Sequence, residues 1–98
     1  MPVKIFRVRD SSMRPSLSDG DYVVVSLLHY IFSHPKPRDM VVLKHPKKDL
    51  FIVKRIERET PYGYFVLGDN TTLSEDSRAF GTVDKSSIVG KVISVIRR

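Results

Sequence analysis

The chain has 98 residues, 41% of them apolar and 29% charged, which fits one domain with a modest core and argues against disorder. It contains no cysteine, and this excludes a disulfide framework, a thiolate nucleophile and a cysteine-ligated metal. The net charge of +6 raises the question of nucleic acid or anionic lipid. Outside Lys47-Lys48 and Arg97-Arg98, however, the basic residues are scattered. No helix-turn-helix, zinc finger or aromatic-interleaved basic stripe is present, so a solvated basic surface and no nucleic-acid partner are expected.

Val3 to Val8 reads as a first strand. Ser11 to Gly20 reads as a turn or a single short helical turn, kept short by Pro15. Tyr22 to Ser26 is β-branched enough for a buried strand. Leu27 to Phe32 is a largely apolar run whose type periodicity alone does not decide; it reads as core or a barrel-edge strand, or as an exposed apolar patch. Pro35 and Pro37 make Ser33 to Arg38 a loop. Met40 to Lys44, Leu50 to Glu57 and Tyr64 to Leu67 read as strands, Gly68 to Gly81 as a polar loop, and Ile88 to Ile96 as a closing strand. Six short strands without alternating helices predict a mostly β domain, an antiparallel barrel or folded sheet, over residues 1–98. No apolar run approaches the roughly 18–20 residues that cross a bilayer. Met1 to Asp10, with Lys4, Arg7, Arg9 and Asp10, does not read as a secretory leader.

Three segments carry candidate chemistry. Gly68 to Gly81 packs small, acidic and basic residues between two apolar runs, and is too rich in turn formers for one helix or strand. Ser11-Ser12-Met13-Arg14-Pro15-Ser16-Leu17 offers a hydroxyl nucleophile, which needs a base from elsewhere in the fold. Lys54 supplies a base candidate. In an extended run Ile52, Lys54 and Ile56 share one face, and Phe51, Val53 and Arg55 the other. Flanked by two β-branched apolar side chains, the Lys54 ammonium is desolvated, which favours the neutral amine. A nucleophile, a base and a polar clamp in that order suggest a serine protease with a lysine base. The histidines do not compete: His29, His34 and His45 lack metal-ligand spacing.

Ser12-Met13-x-Pro15-x-Leu17, then Lys54-Arg55 in a strand, then Gly68-Asp69-Asn70-x-x-x-Ser74-x-Asp76-Ser77-Arg78-x-Phe80-Gly81 resemble the type I signal peptidase family in its bacterial Ser–Lys form. Asp19-Gly20-Asp21 before Val23-Val24-Val25, and Asp39-Met40-Val41-Val42 before His45-Pro46, are further matches. The resemblance runs from Val8 to the end of the chain. It implies Ser12 as nucleophile, Lys54 as general base and Ser74 as the hydroxyl that orients the lysine. Gly68 would let the backbone approach the lysine side chain. Asp76 and Arg78 are implied as a structural clamp, lying on one side if their stretch is extended. The backbone N–H of Ser12 is the natural first oxyanion donor. A small residue supplies a second donor in several relatives, two positions before the nucleophile. Here that position is Asp10, expected to turn its carboxylate away, with Ser11 or a backbone N–H substituting.

No metal or cofactor is required by this chemistry. The implied partner is a precursor protein with an N-terminal leader, bound as an added strand and cut after small residues. Short, anchor-less members that mature nickel superoxide dismutase are similar in length, and secretory signal peptides are the other substrate class. Typical members carry a membrane anchor before the serine, whereas eleven residues precede Ser12 here. The expectation is a soluble, cytoplasmic protein if the chain is complete, or a membrane-associated one if an anchor was removed. Leu27, Leu28, Tyr30, Ile31 and Phe32 are the candidates for peripheral membrane contact. The alternatives are a LexA-like self-cleaving peptidase, which lacks the Gly68–Gly81 pattern, and a non-catalytic peptide-binding module with the same fold.

Overall fold

β-branched and aromatic runs separated by turn residues produce the six expected strands in the computed structural model, which describes residues 2–70, 72 and 74–98. Thr71 and Leu73, spanned by the polar motif, lie outside the described residues. The strands are β1 (Val3–Arg7), β2 (Tyr22–Ser26), β3 (Met40–Lys44), β4 (Phe51–Thr60), β5 (Gly63–Leu67) and β6 (Ile88–Ile96). They form one antiparallel sheet in the order β1-β2-β6-β3-β4-β5, which bears out the mostly β expectation.

The sheet has apolar packing on both faces, and β3 at its centre shows why. Side chains alternate along a strand. Val41 and Leu43 therefore join one cluster, with Tyr30, Ile56, Tyr64 and Val66. Val42, between them, joins the other, with Val8, Met13, Leu17, Val23 and Val25. Irregular register at Val24/Val25 and Val42/Leu43 marks where β6 bends between its neighbours. Gly90 sits at this bend, and a Cβ there would lie 2.1 Å from the Ser26 carbonyl oxygen.

Two strand edges are left open beside each other. β1 ends the sheet on one side. Residues 51–54 of β4 pair with β3, whereas β5 joins β4 only from Arg55 onward. A groove of about 550 Å³ lies between these edges, lined among others by Ile5, Phe6, Val8, Met13, Phe51 and Val53.

Two segments differ from the sequence expectation. Leu27 to Phe32 is neither strand nor wholly surface: it leads into the single-turn helix α1 (His29–Phe32). Tyr30 is buried in the core, where its hydroxyl donates to Asp39 Oδ2 at 2.6 Å, and Leu27 and Leu28 are half-buried. That removes Tyr30 from the proposed membrane-contact set, because a buried phenol with a hydrogen-bond partner is a core anchor. Gly68 to Gly81 is not loop throughout. Its end forms the short helix α2 (Ser77–Phe80), capped by the Asp76 carboxylate on the Arg78 N–H and closed by Gly81 at φ 83°. Among the described residues, no helix is long and apolar enough to cross a membrane.

Candidate active site

Lys54 sits mid-strand in β4, opposite Val41 of β3, and is only 2% exposed. The expected alternation holds: Ile56 lies in the same apolar cluster with Ile52 packed on it, and Val53 packs into the opposite one. Lys54 Nζ donates to Ser74 Oγ at 3.1 Å. Among the described residues, no carboxylate reaches it within ion-pair distance. Burial of the ammonium pushes its pKa below the ordinary lysine value. The more distant carboxylates of Asp10, Asp76 and Glu75 pull the other way, and the Arg78 guanidinium reinforces the drop.

The polar segment grips the turn around Ser12, whose carbonyl oxygen lies close to Gly68, as does Ser74 Oγ. The Asn70 N–H donates to the Ser12 carbonyl oxygen at 2.8 Å, and Asn70 Nδ2 to the Ser11 carbonyl oxygen at 3.1 Å. The Asp69 N–H lies 3.4 Å from Met13 Sδ, and Met13 itself is core. Ser12 is buried. Gly68 is the junction of these parts. A Cβ there would lie 2.0 Å from Ser74 Oγ and 2.7 Å from the Ser12 carbonyl oxygen, so no side chain fits. The close approach that requires glycine is thus to the two serines rather than to the lysine.

Asp76 and Arg78 form the expected pair, though on a helix cap instead of an extended stretch. Asp76 accepts from the Gly68 N–H at 3.0 Å, the Arg78 N–H at 3.1 Å, and Arg78 Nε and Nη2 at 3.0 and 2.9 Å. The Ser74 side chain also hydrogen-bonds it. Burial pushes the Asp76 carboxyl upward, but these bonds outweigh it and hold the pKa at about 2. Lys54, Ser74, Asp76 and Arg78 therefore form one connected chain of polar contacts.

Asp10 corrects another expectation. Its carboxylate does not turn away: Oδ1 accepts from the Ser12 N–H at 3.1 Å. An anionic oxygen thus occupies the donor expected to bind an oxyanion: among the described residues that N–H has no backbone partner, and a buried donor must find an acceptor.

Sequence reasoning missed two further clusters. On the outer face of β4, Arg55 donates Nε and Nη2 to the two carboxylate oxygens of Asp69 at 2.9 and 2.8 Å, and Nη1 to the Arg38 carbonyl oxygen at 2.9 Å. Ser16 Oγ donates to the same carboxylate at 2.6 Å, which pins the serine turn to β4. Below Lys54, buried His45 meets Glu75 at 2.7 Å, next to a pocket of about 210 Å³ that Asp10, Ile52 and Lys54 also line. The sequence holds no signal for either pairing, since the partners lie 14 and 30 residues apart.

A folded antiparallel sheet that gathers a turn serine, a desolvated lysine and a second serine around one glycine has the layout of a small peptidase core. The chain matches the family described as "Signal peptidase, peptidase S26" over residues 1–57 and 60–96, and it belongs to that family. It is similar to signal peptidase IB of Staphylococcus aureus, with 44% identity over 66 residues that cover 66% of this chain and 34% of that protein. To signal peptidase I of Aquifex aeolicus it is 40% identical over 52 residues, 52% of this chain and 20% of the relative. The matched region thus spans about a third or less of these relatives' length.

Proposed function

We propose that this domain is a serine endopeptidase that removes N-terminal leaders from precursor proteins. Ser12 Oγ attacks the scissile carbonyl carbon while neutral Lys54 Nζ takes its proton. Collapse of the tetrahedral intermediate breaks the C–N bond, and Lys54 returns the proton to the leaving amine. Water, activated by Lys54, then hydrolyses the ester on Ser12. The observation that carries this reading is the state of Lys54: buried on the strand face it shares with Ile52 and Ile56, with no carboxylate at ion-pair distance among the described residues, and bonded to Ser74. A lysine placed to form a salt bridge would be held charged, whereas this one is pushed toward the form that accepts a proton.

In this scheme Ser74 fixes the amine, and Gly68, Asp76 and Arg78 brace the segment that carries it. The Ser12 N–H is the first oxyanion donor, with Ser11 assigned as the second, and Asp10 withdraws when the substrate carbonyl enters. The substrate binds as an extra strand in the groove between β1 and the open edge of β4, where both flanking backbones have free groups. Its small residues before the cut follow from the family. Nickel superoxide dismutase precursors and secretory leaders are the two candidate substrate classes. Any lipid contact falls to Ile31 and Phe32 on α1, which are 66% and 83% exposed.

The test is intact-mass analysis of a leader panel, Ala-x-Ala secretory leaders and a nickel superoxide dismutase leader, with wild type, Ser12→Ala and Lys54→Met. Cleavage at one bond that both substitutions abolish is the expected result and identifies the substrate class. Equal cleavage by all three proteins would overturn the assignment. No cleavage by any of them would favour the peptide-binding alternative.

A further inference from the structure

We infer that His45 is a positioning residue: through Glu75 it fastens the Ser74 segment to the hairpin that carries Lys54. The inference rests on the proposed role of Lys54 and adds a residue that the serine–lysine scheme leaves unused. The polar segment is tied to the β3–β4 unit on both sides of Ser74. On one side Asp69 is held by Arg55; on the other, Glu75 is held by His45 Nε2 at 2.7 Å and Lys48 Nζ at 3.2 Å. Ser74, between these ties, makes the 3.1 Å contact with Lys54.

Glu75 is half-exposed, and a solvated ion pair on its own holds little. His45 is different in kind. It is 6% exposed, its ring lies edge-on to Phe80 with centroids 5.0 Å apart, and its backbone N–H closes the β3–β4 connection onto the Leu50 carbonyl oxygen at 2.9 Å. Its Nδ1 accepts from the Lys47 and Lys48 N–H groups at 3.0 and 3.1 Å. With Nδ1 used as an acceptor, the proton resides on Nε2, which points at Glu75 and donates to it. The donor is therefore fixed before Glu75 arrives, and the carboxylate docks onto a rigid point of the hairpin. Because Ser74 directly precedes Glu75, a small displacement of that carboxylate moves the hydroxyl off Lys54. The charged groups facing Lys54 are Asp10, Glu75, Asp76 and Arg78, with Lys48 also lining the adjoining pocket.

The experiment titrates Lys54 by NMR in the full chain labelled with carbon-13 lysine. It compares wild type, His45→Phe, His45→Gln, Glu75→Gln and the His45→Phe/Glu75→Gln double variant. Glu75→Gln removes a carboxylate that holds the lysine up, so its midpoint falls. His45→Phe frees the carboxylate without deleting it, and gives a smaller fall of the same sign. His45→Gln keeps an N–H donor and stays at the wild-type midpoint. The double variant matches Glu75→Gln alone, because both changes act through one contact. On a leader that the wild type cuts, His45→Phe lowers kcat on the order of tenfold with KM within about twofold. An unchanged Lys54 midpoint in His45→Phe, or a shift that adds in full to that of Glu75→Gln, would overturn the inference. Should His45→Phe not fold, an unchanged midpoint in the surface variant Glu75→Gln does the same. A wild type that cuts no leader would tell against the peptidase reading, while the titration still decides the role of His45.

Discussion

Lys54 and Arg55 are consecutive residues of β4, yet they occupy opposite electrostatic worlds. Lys54 points to the buried face, where one hydroxyl is its hydrogen-bond partner and burial pushes its pKa down. Arg55 points to the other face, where Asp69 answers its fork in two places and drives its pKa up against a smaller opposing effect of burial. Period-two alternation is enough to separate them. The strand uses it to keep one cation poorly solvated, as the proposed chemistry requires, and to satisfy the next one, as a scaffold requires.

The largest effects come from removing each member. Lys54→Met is expected to lower leader cleavage by at least about a thousandfold, since a serine hydroxyl without its base is nearly inert. The same change is expected to stabilise the fold by about 1–3 kcal/mol near neutral pH, because it deletes a buried charge. The sign of the pH dependence follows from the lowered pKa. The unfolded chain binds the proton more tightly than the folded one, so wild-type stability rises with pH between the folded and unfolded values. The gain from Lys54→Met therefore shrinks as pH approaches the ordinary lysine pKa, which thermal melts at several pH values would show. A variant less stable than wild type at neutral pH would mean that the ammonium is well solvated. Arg55→Met should do the reverse. It leaves the Asp69 carboxylate short of two charge-assisted bonds and is expected to cost about 2–3 kcal/mol in urea unfolding. Cleavage by the folded fraction should fall far less than in Lys54→Met, because Arg55 lies across the sheet from Lys54 and bears on the site only through its tie to Asp69.

Asp76 sharpens the same contrast from the acidic side. Its folded pKa of about 2 lies below the ordinary carboxyl value, so its contribution to stability is present above about pH 4 and is lost as pH falls through about 2. Its side chain is buried, while Arg78 is half-exposed and screened, which places the contribution at about 1–2 kcal/mol. Asp76→Asn should flatten the acid limb of the stability curve. An acid limb identical to wild type would show that Asp76 is not held as described.

Much of this could be read in the chain because it is local. Strand positions and the inward face of Lys54 follow from alternation over a few residues. The α2 helix was also within reach, since Asp76 ahead of Ser77 and Gly81 after Phe80 are start and stop signals; the density of turn formers masked them. The direction of Asp10 depends on one N–H in a turn, that of Ser12, from which its carboxylate accepts. Tyr30 lies in an apolar run whose pattern does not separate core from surface until Asp39 is seen to take its hydroxyl. Arg55 with Asp69, and His45 with Glu75, are pairings made by the folding of the sheet, and nothing in the spacing of those residues announces them.

Asp10 gives the smallest and most discriminating effect. Its carboxylate accepts from the Ser12 N–H and also holds the Lys54 pKa up. Both actions oppose the proposed reaction: one fills the donor meant for the oxyanion, the other keeps the base protonated. Asp10→Ser removes both and is expected to raise kcat/KM several-fold near neutral pH, less than about tenfold. Asp10→Asn separates the two causes, because its amide oxygen still accepts from Ser12 but carries no charge. If the charge on Lys54 dominates, Asn and Ser are equally active, and their advantage fades at alkaline pH, where the wild-type lysine is already neutral. If occupancy of the N–H dominates, only Ser gains, and the advantage persists at every pH. A loss of activity in both variants would make Asp10 a part of the machinery in place of a restraint on it, and would reassign the oxyanion donor away from Ser12.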